Sequence, residues 1–286
     1  MRSIAVAGVK GSGGVTSTAL ALAAARAESG PTLLIEADPS GGTLLSWCDQ
    51  LHPAGDLYDL VMSRNATGFT TVVQRLGALD VIPSWGRSFR LTQALVRPRV
   101  PWPVLLGEHD GTVIVDVGRV YPDAPTMGLI DACDVVVLVA SSEPAPVATT
   151  MEWASRGGRH GSADAGIPVD RLRIVTNEVV GRRRAMSVTP RDLSAVTGAE
   201  YLGHLPHDAA ALDVICRGGS IADRSVRRSR LVEAARHIAA ALAAPTGERT
   251  AVARRRPERG HAGPATPVPS PNGSSPTREE LVDGER

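Results

Sequence analysis

The sequence is poor in lysine, aromatic residues and cysteine. Lys10 is the only lysine among 31 basic residues, and aromatic residues make up 3% of the chain. The three cysteines lie far apart with no CxxC pair, which argues against a disulfide framework, a zinc ribbon or an iron–sulfur site and indicates a reducing compartment. The 31 basic and 30 acidic residues leave a net charge of +1, so the chain as a whole has no charge for binding polyanions.

Long apolar runs are also absent. No stretch approaches the roughly 18 uninterrupted apolar residues of a membrane helix, and the apolar start of the chain is too short for a signal peptide. We therefore expect no transmembrane segment and a cytoplasmic protein. The 286 residues, of which 43% are hydrophobic and 21% charged, suffice for one α/β domain with a core of Ala, Val, Leu and Ile.

Short runs of Val, Ile and Leu alternate with helical segments along most of the chain. Buried strands are predicted at 4–7, 32–35, 79–82, 112–117, 135–140 and 173–176. Helices are predicted at 16–27, 57–63, 69–76, 145–155, 190–197 and 230–244. Near-continuous apolar strands are typical of a parallel sheet that is covered on both faces. The pattern predicts an α/β fold over residues 1–244, a doubly wound, mostly parallel sheet with helices on both faces.

The composition changes after residue 244. Residues 245–286 hold seven of the 21 prolines, many Ser, Thr and Gly, and few large apolar residues. A segment of this composition cannot bury a core, so we predict a disordered Pro/Arg-rich tail. A plain solvated tail is favoured over an anion-binding arm built on the arginines at 254–256.

A glycine-rich segment lies where the first strand passes into the first helix. It reads Lys10-Gly-Ser-Gly-Gly-Val-Thr-Ser17. Glycines allow close approach to the backbone, and the amides and dipole of a helix N-terminus favour an anion. The P-loop pattern GxxxxGK[ST] would need a lysine in place of Val15, and the dinucleotide pattern GxGxxG would need a glycine in place of Thr16. The segment therefore predicts an anion-binding turn that matches neither pattern.

This turn resembles the deviant P-loop of the MinD/ParA ATPases, KGGxGK[ST], with Ser12 for a glycine and Val15 for the P-loop lysine. Other segments resemble the same family in the same order, at 33–41 (DxDPQG), 113–118 (Walker B), 134–144, 174–177, and 202–208 followed by 218–221. The resemblance covers residues 1–244 and implies a P-loop NTPase domain. The TadZ/CpaE-like subgroup, which tolerates degenerate P-loops, is the nearest functional analogy.

The resemblance also implies ATP and Mg²⁺ as cofactors, and a homodimer with two nucleotides at its interface. It assigns phosphate contacts to the turn, through Gly11, Ser12, Gly13, Gly14, Val15, Thr16 and Ser17. Thr16 and Asp116 would hold Mg²⁺, and Asp38 would position the attacking water. Lys10 would reach the phosphates bound to the other subunit.

Two further residues are assigned to the adenine side by the same resemblance, Asn177 and the backbone of Pro206. The residues alone leave simpler alternatives open. Asn177 could hydrogen-bond a turn, Asp38 and Asp116 could be local caps, and Lys10 could be a solvated lysine.

Val15 determines the functional prediction. A lysine at this position makes a charge-assisted contact with the β- and γ-phosphates, worth about 1.5–3 kcal/mol, which valine cannot replace. We therefore expect weak ATP binding by a monomer and slow or absent hydrolysis. Because Lys10 would serve the other subunit, we also expect ATP binding to be coupled to dimerisation.

These features favour a nucleotide-gated spatial regulator or assembly factor, of the kind that acts on pilus or secretion machinery, the septum or the chromosome. One alternative is an active partitioning ATPase that binds DNA non-specifically through arginine clusters such as residues 182–184. A second is an ATP-dependent amide-forming synthetase, which Val15 disfavours. A third is a pseudo-ATPase scaffold that binds no nucleotide. The sequence does not indicate the protein partner or cargo.

Overall fold

The computed structural model describes residues 2–10, 13–62, 72–85, 88–96, 100–121, 123–141, 143–155, 167–178 and 189–244. Some of the predictions lie outside these ranges, namely those for Gly11 and Ser12 of the turn, for the arginine cluster at 182–184 and for the tail at 245–286. No helix in the described ranges has the length and apolar character needed to cross a bilayer.

The described strands form one sheet. They are β1 (Arg2–Gly8), β2 (Thr32–Glu36), β3 (Gln74–Leu76), β4 (Leu79–Ile82), β5 (Thr112–Arg119), β6 (Val135–Ser141), β7 (Leu172–Asn177) and β8 (Glu200–Leu205). The strand order is β3-β4-β2-β5-β1-β6-β7-β8. Only β3 runs antiparallel to its neighbour among these strands.

The helices lie between successive strands, except for the last two, which follow β8. They are α1 (Val15–Ala27), α2 (Leu44–Trp47), α3 (Leu57–Met62), α4 (Ser88–Leu95), α5 (Trp102–Gly107), α6 (Met127–Asp131), α7 (Pro144–Ser155), α8 (Pro190–Thr197), α9 (Ala209–Cys216) and α10 (Arg230–Ala243). A 3₁₀ turn, Val169–Arg171, precedes β7.

Both faces of the sheet carry a hydrophobic core, as the near-continuous apolar strands predicted. On β1, Ile4 and Val6 belong to the core that also contains residues of α1, α9 and α10. Ala5 and Ala7 belong to the core on the opposite face, with residues of α3, α5 and α7. This alternation is the period of two of a β-strand with both faces buried. The predicted doubly wound α/β fold is confirmed.

The helix predicted at 69–76 is wrong over its described part. Residues 74–76 form β3, which pairs with β4 in the register Leu76↔Leu79. Gly77 between them has a φ of +61°, so the chain turns back in a two-residue hairpin that favours glycine. The apolar spacing of this segment is compatible with a helix, but the hairpin and the pairing with β4 determine the structure.

The sequence analysis also missed β8 and the helices α2, α4, α5, α6 and α9. Only two of the six β8 residues, Leu202 and Leu205, are buried, so this strand lacks the continuous apolar run of the central strands. Helix α9 has eight residues and is capped by Asp208, whose carboxylate accepts a hydrogen bond from the Ala211 amide. The other predicted strands and helices are present, with ends that differ by one or two residues in the described chain.

Candidate nucleotide-binding site

The predicted site residues meet at the edge of the sheet where the parallel strands end. Gly13 to Ser17 follow β1, and Asp38 follows β2. Asp116 lies near the end of β5, and Asn177 is the last residue of β7. Pro206 directly follows β8. Ligands of open α/β sheets bind at this carboxyl edge.

The turn after β1 leads into α1 without a side-chain cap. Gly14 occupies the N-cap position in the left-handed conformation, with φ 72° and ψ 36°, and no side chain accepts a hydrogen bond there. The first hydrogen bond of the helix runs from the Thr18 amide to the Gly14 carbonyl, at 2.9 Å. The amides of the first turn of α1 are therefore available to an anion, which the dipole of this 13-residue helix favours.

Asn177 connects the end of β7 to the start of α1 by hydrogen bonds. Its Nδ2 atom donates to the Gly14 carbonyl and to Thr18 Oγ1, each at 3.2 Å. Because a carbonyl only accepts, these contacts fix the orientation of the amide and leave Oδ1 as its acceptor. A Cβ atom added to Gly14 would lie 2.1 Å from Nδ2, so only glycine fits at this position. The interpretation of Asn177 as a turn-binding residue and its interpretation as a base-facing residue are thus compatible.

A cavity of about 170 Å³ opens beside this contact. It brings together residues that are nearly 200 positions apart in the chain, namely Gly14, Ser17, Asn177, Pro206, His207 and Asp208. Leucines 205, 212 and 231 form its apolar part. A concave, partly apolar space with a few convergent polar groups is the usual form of a small-molecule site.

Val15 and Lys10 differ in environment. The Val15 side chain packs against the core on the α1 face, and its Cγ2 would lie 2.8 Å from a Cβ atom on Gly8. Lys10 is exposed. The apolar side chain is thus turned towards β1, and the cation of the turn is at the surface.

Asp116 is fully buried. Its Oδ1 accepts a hydrogen bond from the Gly118 amide at 3.0 Å, and its Oδ2 has no partner among the described residues. Burial raises the pKa of this carboxyl to about 7, and the charges of Glu36 and Asp38 act in the same direction. The Thr16 hydroxyl lies close enough to lower the pKa, although it does not complete a hydrogen bond with Oδ2.

The Thr16 hydroxyl and the unpartnered Asp116 oxygen fit a hard divalent cation. Mg²⁺ prefers oxygen ligands and is commonly held by one or two protein groups, with phosphate and water completing its shell. Within the described ranges, no group of three His, Cys, Asp or Glu residues could hold a metal by itself. The residues present therefore fit a cation that is shared with a phosphate ligand.

Glu36 is a residue of this edge that the sequence analysis did not assign. Its buried carboxylate accepts hydrogen bonds from the amides of Thr43 (2.6 Å), Leu44 (2.9 Å) and Ser84 (3.0 Å). Burial raises its pKa despite these bonds. An acidic residue at the end of the apolar run 32–35 was the available signal, since a buried carboxylate needs several donors.

Asp38 lies on the loop that Glu36 anchors. Its carboxylate packs over Gly118, where an added Cβ atom would lie 2.2 Å from Asp38 Cγ. It also accepts a hydrogen bond from the Ser40 amide at 2.8 Å. The loop after β2 and the end of β5 therefore bring Asp38 and Asp116 together at Gly118.

Comparison with solved structures identifies the fold. A ParA family ATPase from Chlorobium tepidum TLS superposes with a TM-score of 0.62 at 18% identity, covering 84% of this chain and 98% of that chain. The cell division ATPase MinD of Pyrococcus furiosus gives 0.64 at 18% identity, with 84% and 97% covered. MinD of Pyrococcus horikoshii gives 0.64 at 17% identity, with 85% and 96% covered.

No protein-family model and no curated protein matches the sequence. The structural likeness extends over nearly the full length of the solved proteins. This chain has the P-loop NTPase fold of the ParA and MinD ATPases.

Proposed function

We propose that this protein binds Mg-ATP in the cavity between α1 and the ends of β7 and β8, dimerises in response, and acts as a spatial regulator or assembly factor with weak or no hydrolysis. The observation that carries the proposal is the contact between Asn177 and Gly14. It joins an uncapped helix N-terminus, suited to phosphate, to a cavity suited to a base.

The roles follow from the positions of the residues. Backbone amides from Gly13 to Ser17 hold the phosphates, as do those of Gly11 and Ser12 in the predicted turn. The acceptor Oδ1 of Asn177 and the backbone of Pro206 select a base with an exocyclic amine, such as adenine. The residues that hold Mg²⁺ are Thr16 and Asp116. Bound Mg²⁺ supplies positive charge to the phosphate oxygens.

The solved structures support the choice of ligand. The Pyrococcus horikoshii MinD structure is a complex with Mg-ADP, and a plasmid partition protein from Borrelia burgdorferi is bound to AMPPNP. An Aquifex aeolicus MinC:MinD complex is a precedent for a protein partner on this fold. We infer an adenine nucleotide and a protein partner for this chain by analogy with them.

Slow hydrolysis follows from the chemistry at positions 15, 38 and 116. Asp38 can orient a water molecule, but Val15 supplies no charge to the transferring phosphoryl group. The only lysine of the chain is Lys10, and its proposed place is against the nucleotide of the other subunit. Full charge compensation therefore needs two chains, which makes nucleotide binding a signal for dimerisation.

Calorimetric titration of the full chain with ATP, with and without Mg²⁺, tests this proposal. We expect ATP to bind, and the nearly isosteric Asn177→Asp variant to lose at least about tenfold in affinity, because a carboxylate would face the Gly14 carbonyl. The variant's folding is checked by urea unfolding. Unaltered ATP binding in a folded Asn177→Asp variant, or no binding by the wild type, contradicts the proposal.

Val15→Lys completes this experiment, with the uncharged Val15→Met as its matched control. Restoring a cation should raise ATP affinity by about tenfold or more and increase turnover, whereas methionine should do neither. Rapid wild-type turnover that is stimulated by DNA, with salt-sensitive DNA binding only in ATP, would instead support an active partitioning ATPase.

A further inference from the structure

A bulge at the end of β5 directs one arginine to the phosphate turn. β5 pairs with β1 in regular register as far as Val6↔Asp116, then skips Val117, so that Gly8 pairs with Arg119. Gly118 has a φ of +63°. A bulge of this kind re-aims the side chains that follow it and is frequent beside functional sites.

Arg119 contacts the turn directly. Its Nε donates to the Val9 carbonyl at 3.3 Å, and the next residue holds the same strand through a 2.8 Å bond from the Val120 amide to the Gly8 carbonyl. Val9 is the residue before Lys10. The guanidinium is therefore attached to the first part of the turn by one of its nitrogens.

The rest of the guanidinium remains available. Arg119 is exposed, and in the described part of the chain no carboxylate forms an ion pair with it. The neighbouring Asp38 carboxylate packs over Gly118 and bonds the Ser40 amide instead. The two terminal nitrogens of an arginine form a planar fork that matches a phosphate.

On the basis of the proposed function, we infer that Arg119 binds the terminal phosphates of the nucleotide in its own chain and replaces the charge that Val15 lacks. Arg119 and Lys10 then have separate tasks. Arg119 gives each chain a first cation for the phosphates, and Lys10 supplies a second one across the dimer. This division explains how a chain without the P-loop lysine retains nucleotide affinity before it dimerises.

The test compares ATP with AMP at a protein concentration at which sedimentation shows a monomer. Arg119→Ala should lower ATP affinity by about tenfold or more and AMP affinity by less than about twofold, because only ATP has the phosphates that Arg119 contacts. Arg119→Lys, which keeps the charge but lacks the planar fork, should lose less ATP affinity than Arg119→Ala. Arg75→Ala, which removes an exposed arginine on the edge strand β3, is the control for net charge.

The outcomes separate this inference from the proposed function. If the wild type binds ATP and Arg119→Ala binds it equally well, or loses ATP and AMP affinity in the same proportion, the inference is wrong and the proposed function stands. If the wild type binds no adenine nucleotide, both are wrong. Should Arg119→Ala fail to fold, Arg119→Gln decides, because unchanged ATP affinity with the charge and the fork removed overturns the inference.

Discussion

Gly14 supports the site through a backbone conformation rather than through a side chain. It combines a left-handed φ of 72° with a close approach to Asn177. Gly14→Ala should therefore lower the free energy of unfolding by about 2–4 kcal/mol, from left-handed strain and the displaced Asn177 amide. The same variant should lose ATP binding.

Urea unfolding of Gly14→Ala, with Gly107→Ala as the matched control, measures this effect. Gly107 lies in α5, and a Cβ atom added there contacts nothing within 4 Å. The control should be neutral or slightly stabilising, since alanine is the better helix former. Equal stability of the two variants would show that residue 14 tolerates a side chain.

Glu36 has a comparable structural role for the loop that carries Asp38. Glu36→Ala would leave three backbone donors without an acceptor, two of them buried, at a cost of roughly 1–3 kcal/mol for each one that water cannot reach. We expect a loss of about 3 kcal/mol in urea unfolding. The exposed Glu108→Ala should stay within about 0.5 kcal/mol of the wild type, and a similar value for Glu36→Ala would contradict the anchoring role.

At the scale of elements, the residue that caps α9 also lines the cavity that is proposed to hold the nucleotide base. Asp208 caps this helix through the Ala211 amide at 3.0 Å and also lines the cavity. Burial opposes its charge, but hydrogen bonds from Ser229 and the first amides of α9 hold the pKa of Asp208 below its usual value. The charged cap thus stabilises the fold above about pH 4, and this stabilisation is lost as the pH falls through the lowered pKa.

Two variants separate the cap from its charge. Asp208→Ala should cost about 1 kcal/mol and weaken ATP binding, whereas Asp208→Asn should cost only a few tenths because asparagine also caps helices. In urea unfolding as a function of pH, the difference between wild type and Asp208→Asn should shrink as the pH falls below about 4. A difference that grows towards low pH would contradict the assigned sign.

The elements differ in how far the sequence could predict them. The central strands are buried on both faces, so their apolar runs predict them directly, and the glycine-rich turn marks the passage from β1 to α1. The local apolar spacing around β3 predicts a helix. Pairing with β4 is a tertiary effect that overrides this spacing, so the segment is a strand. The half-exposed edge strand β8 has no comparable run of buried residues.

The site residues also differ in how far the sequence could predict them. Asn177 and Pro206 could be assigned because the resemblance supplied their context, and the structure brings both to one cavity with Gly14. Glu36 had a signal only in its position after an apolar run, because its amide partners lie further along the chain. Arg119 could not be assigned, because its partner Val9 follows another strand. The register shift between β1 and β5 has no signature in the sequence beyond Gly118.

At the scale of the whole molecule, the proposed nucleotide signal involves two chains rather than one. A single lysine at the start of a phosphate turn, with valine in the position of the P-loop lysine, leaves each proposed site short of one charge. If the second charge comes from the other subunit, ATP binds the dimer more tightly than the monomer, and dimerisation strengthens by the same factor for each ATP bound.

The apparent ATP dissociation constant, measured across protein concentrations that span the monomer–dimer transition, tests this coupling most directly. We predict that affinity rises with protein concentration, by about tenfold or more for one added charge-assisted contact, and that Lys10→Ala abolishes the rise without altering the affinity of the monomer. An ATP dissociation constant that does not change with protein concentration, or a rise that persists in Lys10→Ala, would contradict the account.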